Sequence, residues 1–466
     1  MPSPKTMVTA SSPVDVSRLP PADPMVFRGL DLAVVLPTLN EEHGLPVTLS
    51  GIPFLRLLEK GRRVRVLVID GGSTDGTVAV ARSLGLQIIR QHGKGKGQAV
   101  REALAWLREC GTRYAVFMDA DSTYPGDMVG AVLELLEAGS HLVVGVREPK
   151  RNRPDSLRDL VHRIGNAVLN YAGGQVSGRP VLDLCSGFWG LNLSTGLDRA
   201  LRSDGFDVEA ELFLKAYRGG YVVTQIPIRY GPRIGTAKLR AARDGARIME
   251  TILRAANFPQ TSTVWEPPRT SPFLRELLSV CVVRGSDSLV VWADPSRRQE
   301  AGQLVRAFRH SEVAPRLHLD AVGPSSSGGR SAGGPPLDEE EGTPVVSLRS
   351  GPEAEGWADS SRLEVFLKGP DHTLRLELDS GPGTLPLARS GGIAGPFYRW
   401  LGIPAPGAKP QMGSLRFLRA SLGAGGLDRD LTFYAANGMR ASVVEPSPDS
   451  PETGRLADPS GESSLA

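Results

Sequence analysis

From Leu32 onward, runs of consecutive apolar residues alternate with segments in which apolar positions recur every three to four residues. Residues 32–37, 64–70, 87–90, 114–119 and 141–146 read as strands. The spacing between them predicts helices over 44–60, 75–84, 97–110 and 126–138. Continuous apolar strands separated by amphipathic helices predict an α/β domain with a mostly parallel sheet flanked by helices on both faces. Ligands bind beyond the carboxyl ends of the strands in such sheets. Here those ends carry residues 37–41, 70–75 and 119–121.

After Arg147 the rhythm loosens. A helix is expected near 157–172, followed by a glycine-rich turn, the segment 183–192, a helix over 208–218 and a strand over 221–230. The expected division is a disordered segment at 1–30, the α/β domain at 31–258 and a Pro/Thr-rich linker at 259–275. A smaller C-terminal α+β accessory domain follows at 276–440. Within it, alternation over 363–367 and 373–378 predicts a hairpin. Its insertion at 322–345 and the tail at 441–466 have too little apolar content to order themselves.

The chain has 466 residues, 40% of them apolar and 23% charged, which is a globular balance. Its net charge of +3, from 54 basic and 51 acidic side chains, argues against a nucleic-acid partner. Three scattered cysteines, Cys110, Cys185 and Cys281, show no metal or disulfide pattern and read as reduced thiols. The first 24 residues lack the apolar core of a leader, and no apolar run is long enough to span a bilayer. A cytoplasmic placement is expected, with peripheral attachment to the inner face of the membrane left open.

Asp119-Ala120-Asp121 follows an apolar strand directly, so both carboxylates can turn toward one divalent cation. Oxygen ligands suit Mg²⁺ or Mn²⁺, which neutralise charge on a departing diphosphate. The stretch Asp70-Gly71-Gly72-Ser73-Thr74-Asp75 also leaves a strand and opens a helix. Its glycines permit close approach of backbone to a ligand, Asp70 is a candidate acceptor of hydrogen bonds from a base or ribose, and Ser73 or Asp75 is a candidate cap. Gly93-Lys94-Gly95-Lys96-Gly97 reads as a flexible basic loop able to meet phosphates.

Taken in order, Pro37-Thr-Leu-Asn-Glu41, the 70–75 stretch, the 93–97 loop and Asp119-Ala-Asp121 resemble the family 2 inverting glycosyltransferases of the GT-A fold. Gly145-Val-Arg147, Asp183-Leu-Cys-Ser-Gly-Phe188, the 205–211 segment, Arg233 and Lys238 narrow the resemblance to dolichyl- or polyprenyl-phosphate mannose or glucose synthases. The resemblance spans about residues 31–254 and implies a GT-A nucleotide-sugar-binding domain. It assigns Pro37, Leu39, Glu41 and Asp70 to the nucleoside, with Gly72, Lys96, Asp119, Ala120 and Asp121 completing the nucleotide-sugar set. Asp119 and Asp121 would bind the metal, with Thr123 where the family often has glutamine. Arg147, Arg233 and Lys238 would reach the donor diphosphate or the acceptor phosphate. The chain departs from the family pattern at Gly71, which stands where a second acid is common, and at Thr236-Ala237 before Lys238.

The implied reaction is transfer of a hexose, from a donor of the GDP-mannose or UDP-glucose type, to polyprenyl or dolichyl phosphate with inversion. A phosphate acceptor is already anionic, whereas a hydroxyl acceptor requires a carboxylate base. Asp183 is the candidate base or acceptor-orienting group and Glu211 the second, although Glu211 also fits a helix pair with Lys215. Two other readings are a soluble enzyme acting on a small phosphorylated or secondary-metabolite acceptor, and a non-catalytic sugar-nucleotide-binding module. The basic segment 229–254, with Ile248, Met249, Ile252 and Leu253, fits either a membrane surface or packing against the C-terminal domain.

Overall fold

The computed structural model describes residues 22–148, 157–258, 274–284, 288–293, 316–318, 344–348, 362–368, 373–379, 433–434, 436–437 and 440–444. Seven strands form the first sheet: β1 (Leu32–Thr38), β2 (Val64–Asp70), β3 (Gln87–Arg90), β4 (Tyr114–Phe117), β5 (Leu142–Arg147), β6 (Trp189–Asn192) and β7 (Val223–Ile228). Their order is β3-β2-β1-β4-β6-β5-β7. Every pairing is parallel except those of β6, which runs antiparallel to both β4 and β5. The segment 189–192 is too short to announce itself by period; Trp189 fixes it in place by stacking on Phe117, with centroids 4.1 Å apart.

The sheet is buried on both faces, as uninterrupted apolar strands require. Along β1, Leu32, Val34 and Leu36 enter one core while Ala33 and Val35 enter the other. Register carries the chemistry to one edge. Thr38 lies opposite Asp70, and Val35 opposite Phe117, so the β1, β2 and β4 ends open on the same side.

Ten helices complete the described chain: α1 (Pro24–Phe27), α2 (Gly44–Ser50), α3 (Phe54–Glu59), α4 (Thr77–Ser83), α5 (Lys96–Glu109), α6 (Val129–Glu137), α7 (Leu157–Ser177), α8 (Val208–Arg218), α9 (Ala241–Ala255) and α10 (Leu274–Arg284). The single helix expected over 44–60 is two, broken at Gly51–Pro53, because Pro53 has no N–H and disfavours helical backbone before it. The expected glycine-rich turn is instead the end of α7. A Cβ on Gly173 would come within 3.2 Å of Leu184, so glycine here serves close packing. Part of the segment expected to be disordered at 1–30 is ordered: Phe27 is buried and meets Trp106 edge-on at 5.0 Å.

In helix α9 the apolar side chains Ile248 and Ile252 of the basic segment turn inward, while Leu253 is exposed. Buried Ile248, Ile252 and Ala255 of this helix join the core shared with α7 and α8, so its apolar face is occupied within the α/β domain. Leu277, Leu278, Val280 and Cys281 of α10 are likewise buried, and α10 packs on β7 and α6. Asn437 accepts a hydrogen bond from the Gln225 amide and donates one to its carbonyl.

A second sheet contains β8 (Ser288–Ala293), β9 (Arg316–His318), β10 (Pro344–Leu348), β11 (Arg362–Lys368), β12 (Thr373–Asp379) and β13 (Arg440–Val444), in the order β13-β12-β11-β10-β8-β9. The expected hairpin is the antiparallel pair β11–β12, with Leu363 opposite Leu378. The expected linker as far as residue 273, the insertion before Pro344 and the tail after Val444 lie outside the described residues. Among the described residues, no helix is long and apolar enough to cross a membrane.

Candidate active site

The loops after β1 and β2 lock together. The Asn40 amide donates to Ser73 Oγ at 2.9 Å, and Asn40 Oδ1 accepts from the Thr74 amide at 2.7 Å. Asn40 sits at φ +54°, one of two non-glycine residues with positive φ among the described residues. Asp70 is fully buried, and its carboxylate accepts the amides of Gly72 and Ser73 at 3.1–3.2 Å. Asp70, expected to meet a base or ribose, turns these oxygens inward to hold the loop. Gly72, at φ +91° with open space around its Cα, Leu39, exposed, and Pro37, half-buried, stand at the rim. Asp75, not Ser73, serves the start of α4 by accepting the Thr77 amide at 3.0 Å.

The β4 end supplies the acids. Lys96 Nζ lies 2.7 Å from Asp119 Oδ1 and 2.7 Å from Glu209 Oε1. Burial pushes the Lys96 ammonium toward neutrality, but the two carboxylates overcome it and hold its pKa well above the ordinary lysine value. The expectation of a flexible loop around Lys96 is corrected. A Cβ on Gly95 would lie 2.2 Å from the Asp204 carbonyl, and the Gly97 amide donates to that same oxygen at 2.9 Å. Packing against residues 203–204 makes Lys96 a fixed charge.

Asp121 is buried. One oxygen accepts the Thr123 amide at 3.1 Å and its hydroxyl at 2.6 Å; the other faces the Arg233 guanidinium in an ion pair. Thr123, expected as a metal ligand, directs its buried hydroxyl to Asp121 and so positions that carboxylate. The Ala120 side chain lies in the core, so only its backbone can reach a donor. Ser122, at φ +65°, completes the strained turn, with its amide held by Thr48 Oγ1 at 2.9 Å.

The loop after β7 closes on these acids. Gly231 and Ile234 donate their amides to the carbonyls of Thr123 and Asp121 at 2.8 and 3.0 Å. Lys238 forms an ion pair with Glu41. Burial raises the Glu41 carboxyl above its usual range, Lys238 opposing the rise and Asp121 adding to it. Arg147 grips Asp183 with Nε and Nη2, each at 2.7 Å, and lies over the Tyr230 ring at 5.4 Å. Asp183, the candidate base or acceptor-orienting group, is held in that grip. Glu211, the second candidate, accepts the amides of Arg202 and Ser203 at 2.9 and 2.7 Å and pairs with Lys215, so it is structural.

Among the described residues no three or more His, Cys, Asp or Glu side chains form a ready metal cage. Buried Glu41 Oε2 nevertheless has no hydrogen-bond partner, and Asp121 Oδ2 and Glu209 Oε1 each face only a cation. Sequence reasoning missed Glu209. Its spacing with Glu211 puts the two on different sides of α8, and only the first turn of that helix meets Lys96.

The sequence model of the family described as glycosyl transferase family 2 matches residues 33–194. Glycosyltransferase AglJ of Haloferax volcanii is 34% identical over 227 residues, covering 48% of this chain and 72% of the relative. The chain belongs to glycosyl transferase family 2. Another family relative, the dolichyl-phosphate hexose transferase of the same organism, is 31% identical over 225 residues, covering 48% of this chain and 93% of that protein. Glucosyl-3-phosphoglycerate synthase of Mycobacterium tuberculosis, solved with Mn²⁺, UDP-glucose and phosphoglyceric acid, aligns at 23% identity and a TM-score of 0.39, covering 50% of this chain and 81% of that one. As a family 2 member the chain is a glycosyltransferase, and the reading as a non-catalytic binding module is set aside.

Proposed function

We propose that this family 2 enzyme transfers a hexose, with inversion, from a nucleotide sugar to a polyprenyl phosphate. One observation carries the choice of a phosphate acceptor: five carboxylates at this edge of the sheet are each held by a cation. Glu41 pairs with Lys238, Asp119 and Glu209 with Lys96, Asp121 with Arg233 and Asp183 with Arg147. A hydroxyl acceptor needs a carboxylate free to take a proton, whereas a phosphate oxygen attacks as the anion it already is. The dolichyl-phosphate hexose transferase of Haloferax volcanii supports the same acceptor class.

The residues fit a divalent ion. Asp119 and Asp121 present hard oxygen donors, and the buried Asp121 Oδ2 has charge opposite it but no hydrogen bond. These two aspartates would hold Mg²⁺ or Mn²⁺, with the donor phosphates completing the shell. Such an ion supplies neutralisation of charge on the departing diphosphate. Arg233 and Lys238, on the loop that folds over the acids, are the cations placed to add a phosphate contact while keeping their carboxylate partners. Leu39, Glu41 and Gly72 border the nucleoside end, and Arg147 with Asp183 shapes the acceptor end.

The test is incubation with Mn²⁺ and labelled GDP-mannose, UDP-glucose or UDP-N-acetylglucosamine, with and without polyprenyl phosphate. Label in the organic phase that disappears in Asp121→Asn is expected. Label confined to water-soluble product would defeat the lipid acceptor in favour of a small one.

A further inference from the structure

Among the described residues, helix α7 leaves one face exposed. Leu157, Leu160, Val161, Ile164 and Val168 follow at three- and four-residue steps and are between 39 and 77% exposed. Ala167, Leu169 and Ala172 of the same helix are buried. The exposed stripe is anchored to the site. Asn170 donates to the Leu182 carbonyl at 2.7 Å and accepts from the Leu184 amide at 2.8 Å, fixing Asp183 between them. At 1.5 Å per helical residue the stripe reaches no further than about 20 Å from that anchor.

The charge beside this stripe is one-sided. Helix α9 packs against α7, and Arg243 and Arg247 on it are exposed, as are Arg229 and Arg240 on the segment leading into it. Between residues 229 and 247 these four arginines stand with a single acid, Asp244, while Arg233 and Lys238 are taken up by Asp121 and Glu41. Apolar side chains flanked by arginines match the boundary between anionic headgroups and acyl chains. A second copy of the same surface would meet it with like charge.

We propose that the α7 stripe with Arg229, Arg240, Arg243 and Arg247 docks the enzyme on an anionic membrane surface, the apolar side chains entering the boundary layer beside the catalytic edge. A polyprenyl phosphate then meets the site while its hydrocarbon stays in the bilayer. This inference rests on the polyprenyl-phosphate reading above.

The full chain is floated with vesicles of phosphatidylglycerol and phosphatidylcholine, and with vesicles of phosphatidylcholine alone. Binding to the anionic vesicles that falls with added salt is expected. The variant Leu160→Asp/Ile164→Asp should bind at least about tenfold more weakly, and Arg243→Glu/Arg247→Glu should do so by a similar factor. Both should keep the wild-type melting temperature and transfer to a short, water-soluble polyprenyl phosphate. Vesicle binding undiminished in both variants overturns the inference, as does a wild-type dimer that Leu160→Asp/Ile164→Asp converts to monomer in sedimentation. Flotation requires no sugar transfer. Variant-sensitive flotation without transfer to any polyprenyl phosphate would therefore defeat the acceptor reading and leave the docking surface standing.

Discussion

Arg147 and Asp183 form a two-pronged pair, Nε to Oδ2 and Nη2 to Oδ1 at 2.7 Å, with the Arg147 amide adding a third bond to Oδ2 at 3.0 Å. The pair ties the end of β5 to the loop before β6. Burial works against the guanidinium charge, and Asp183 overcomes it, holding Arg147 well above its ordinary value. A carboxylate in this grip positions its neighbours.

Breaking a buried pair leaves an uncompensated charge and costs about 3–5 kcal/mol. Asp183→Ala should therefore lower the unfolding free energy in urea by that order. Arg147→Met combined with Asp183→Ala should recover part of the loss, the two residues being directly coupled. The acid limb of the kcat–pH profile should stay in place in whatever activity remains. A displaced limb would return Asp183 to the role of base.

Asp119→Asn and Asp121→Asn conserve shape and remove one charge each. Turnover should fall by at least about 100-fold in either variant, with far-UV circular dichroism unchanged. Chelation of divalent ions should abolish wild-type turnover, and Mn²⁺ or Mg²⁺ should restore it. Wild-type rates in Asp119→Asn would remove the metal assignment.

Glu211 gives the fold a pH dependence of definite sign. Burial raises its carboxyl, but the Lys215 hydrogen bond and the amides of Arg202 and Ser203 outweigh it, leaving the pKa below the ordinary value. Its stabilisation is thus complete above the unfolded value of about 4.3 and is lost as pH falls through the lower folded value. Glu211→Gln should destabilise the protein by about 1.5–3 kcal/mol at pH 7, the range for hydrogen bonds to a charged group. The gap from wild type should narrow in urea melts below pH 4. A gap independent of pH would show that charge is not its source.

Gly44 packs the start of α2 against the 119–121 backbone. An added Cβ would lie 2.5 Å from the Ala120 carbonyl and 2.9 Å from Asp121 Cα. Neither is the end of a flexible side chain, so Gly44→Ala must displace the 119–121 turn. Turnover should drop by roughly 100-fold, the penalty of about 1 Å of misplacement. Normal kinetics in Gly44→Ala would show that the turn accommodates the shift.

The helix at 44–60 and the glycine-rich turn after 172 were misjudged for local reasons: Pro53 stopped one helix, and tight packing against Leu184 carried glycine into another. The antiparallel β6 was hidden because four residues show no decisive period. Asp70, Thr123 and Asp183 bond to neighbouring groups of the protein, a detail that sequence spacing does not reveal, because it does not say which way a polar side chain faces.

By itself, the sequence determined the strand-and-helix rhythm, the polar strand ends at 37–41, 70–75 and 119–121, and the family. These depend on apolar periodicity and contiguous motifs, both of which are local. Only the tertiary structure decided which charge faces which: Lys96 between Asp119 and Glu209, Arg233 on Asp121, Lys238 on Glu41. Among the described residues it also moved the exposed apolar face from α9 to α7. These pairings join residues about 20 to 200 positions apart, and chain folding alone brings them within the few ångströms over which ion pairs and packing act.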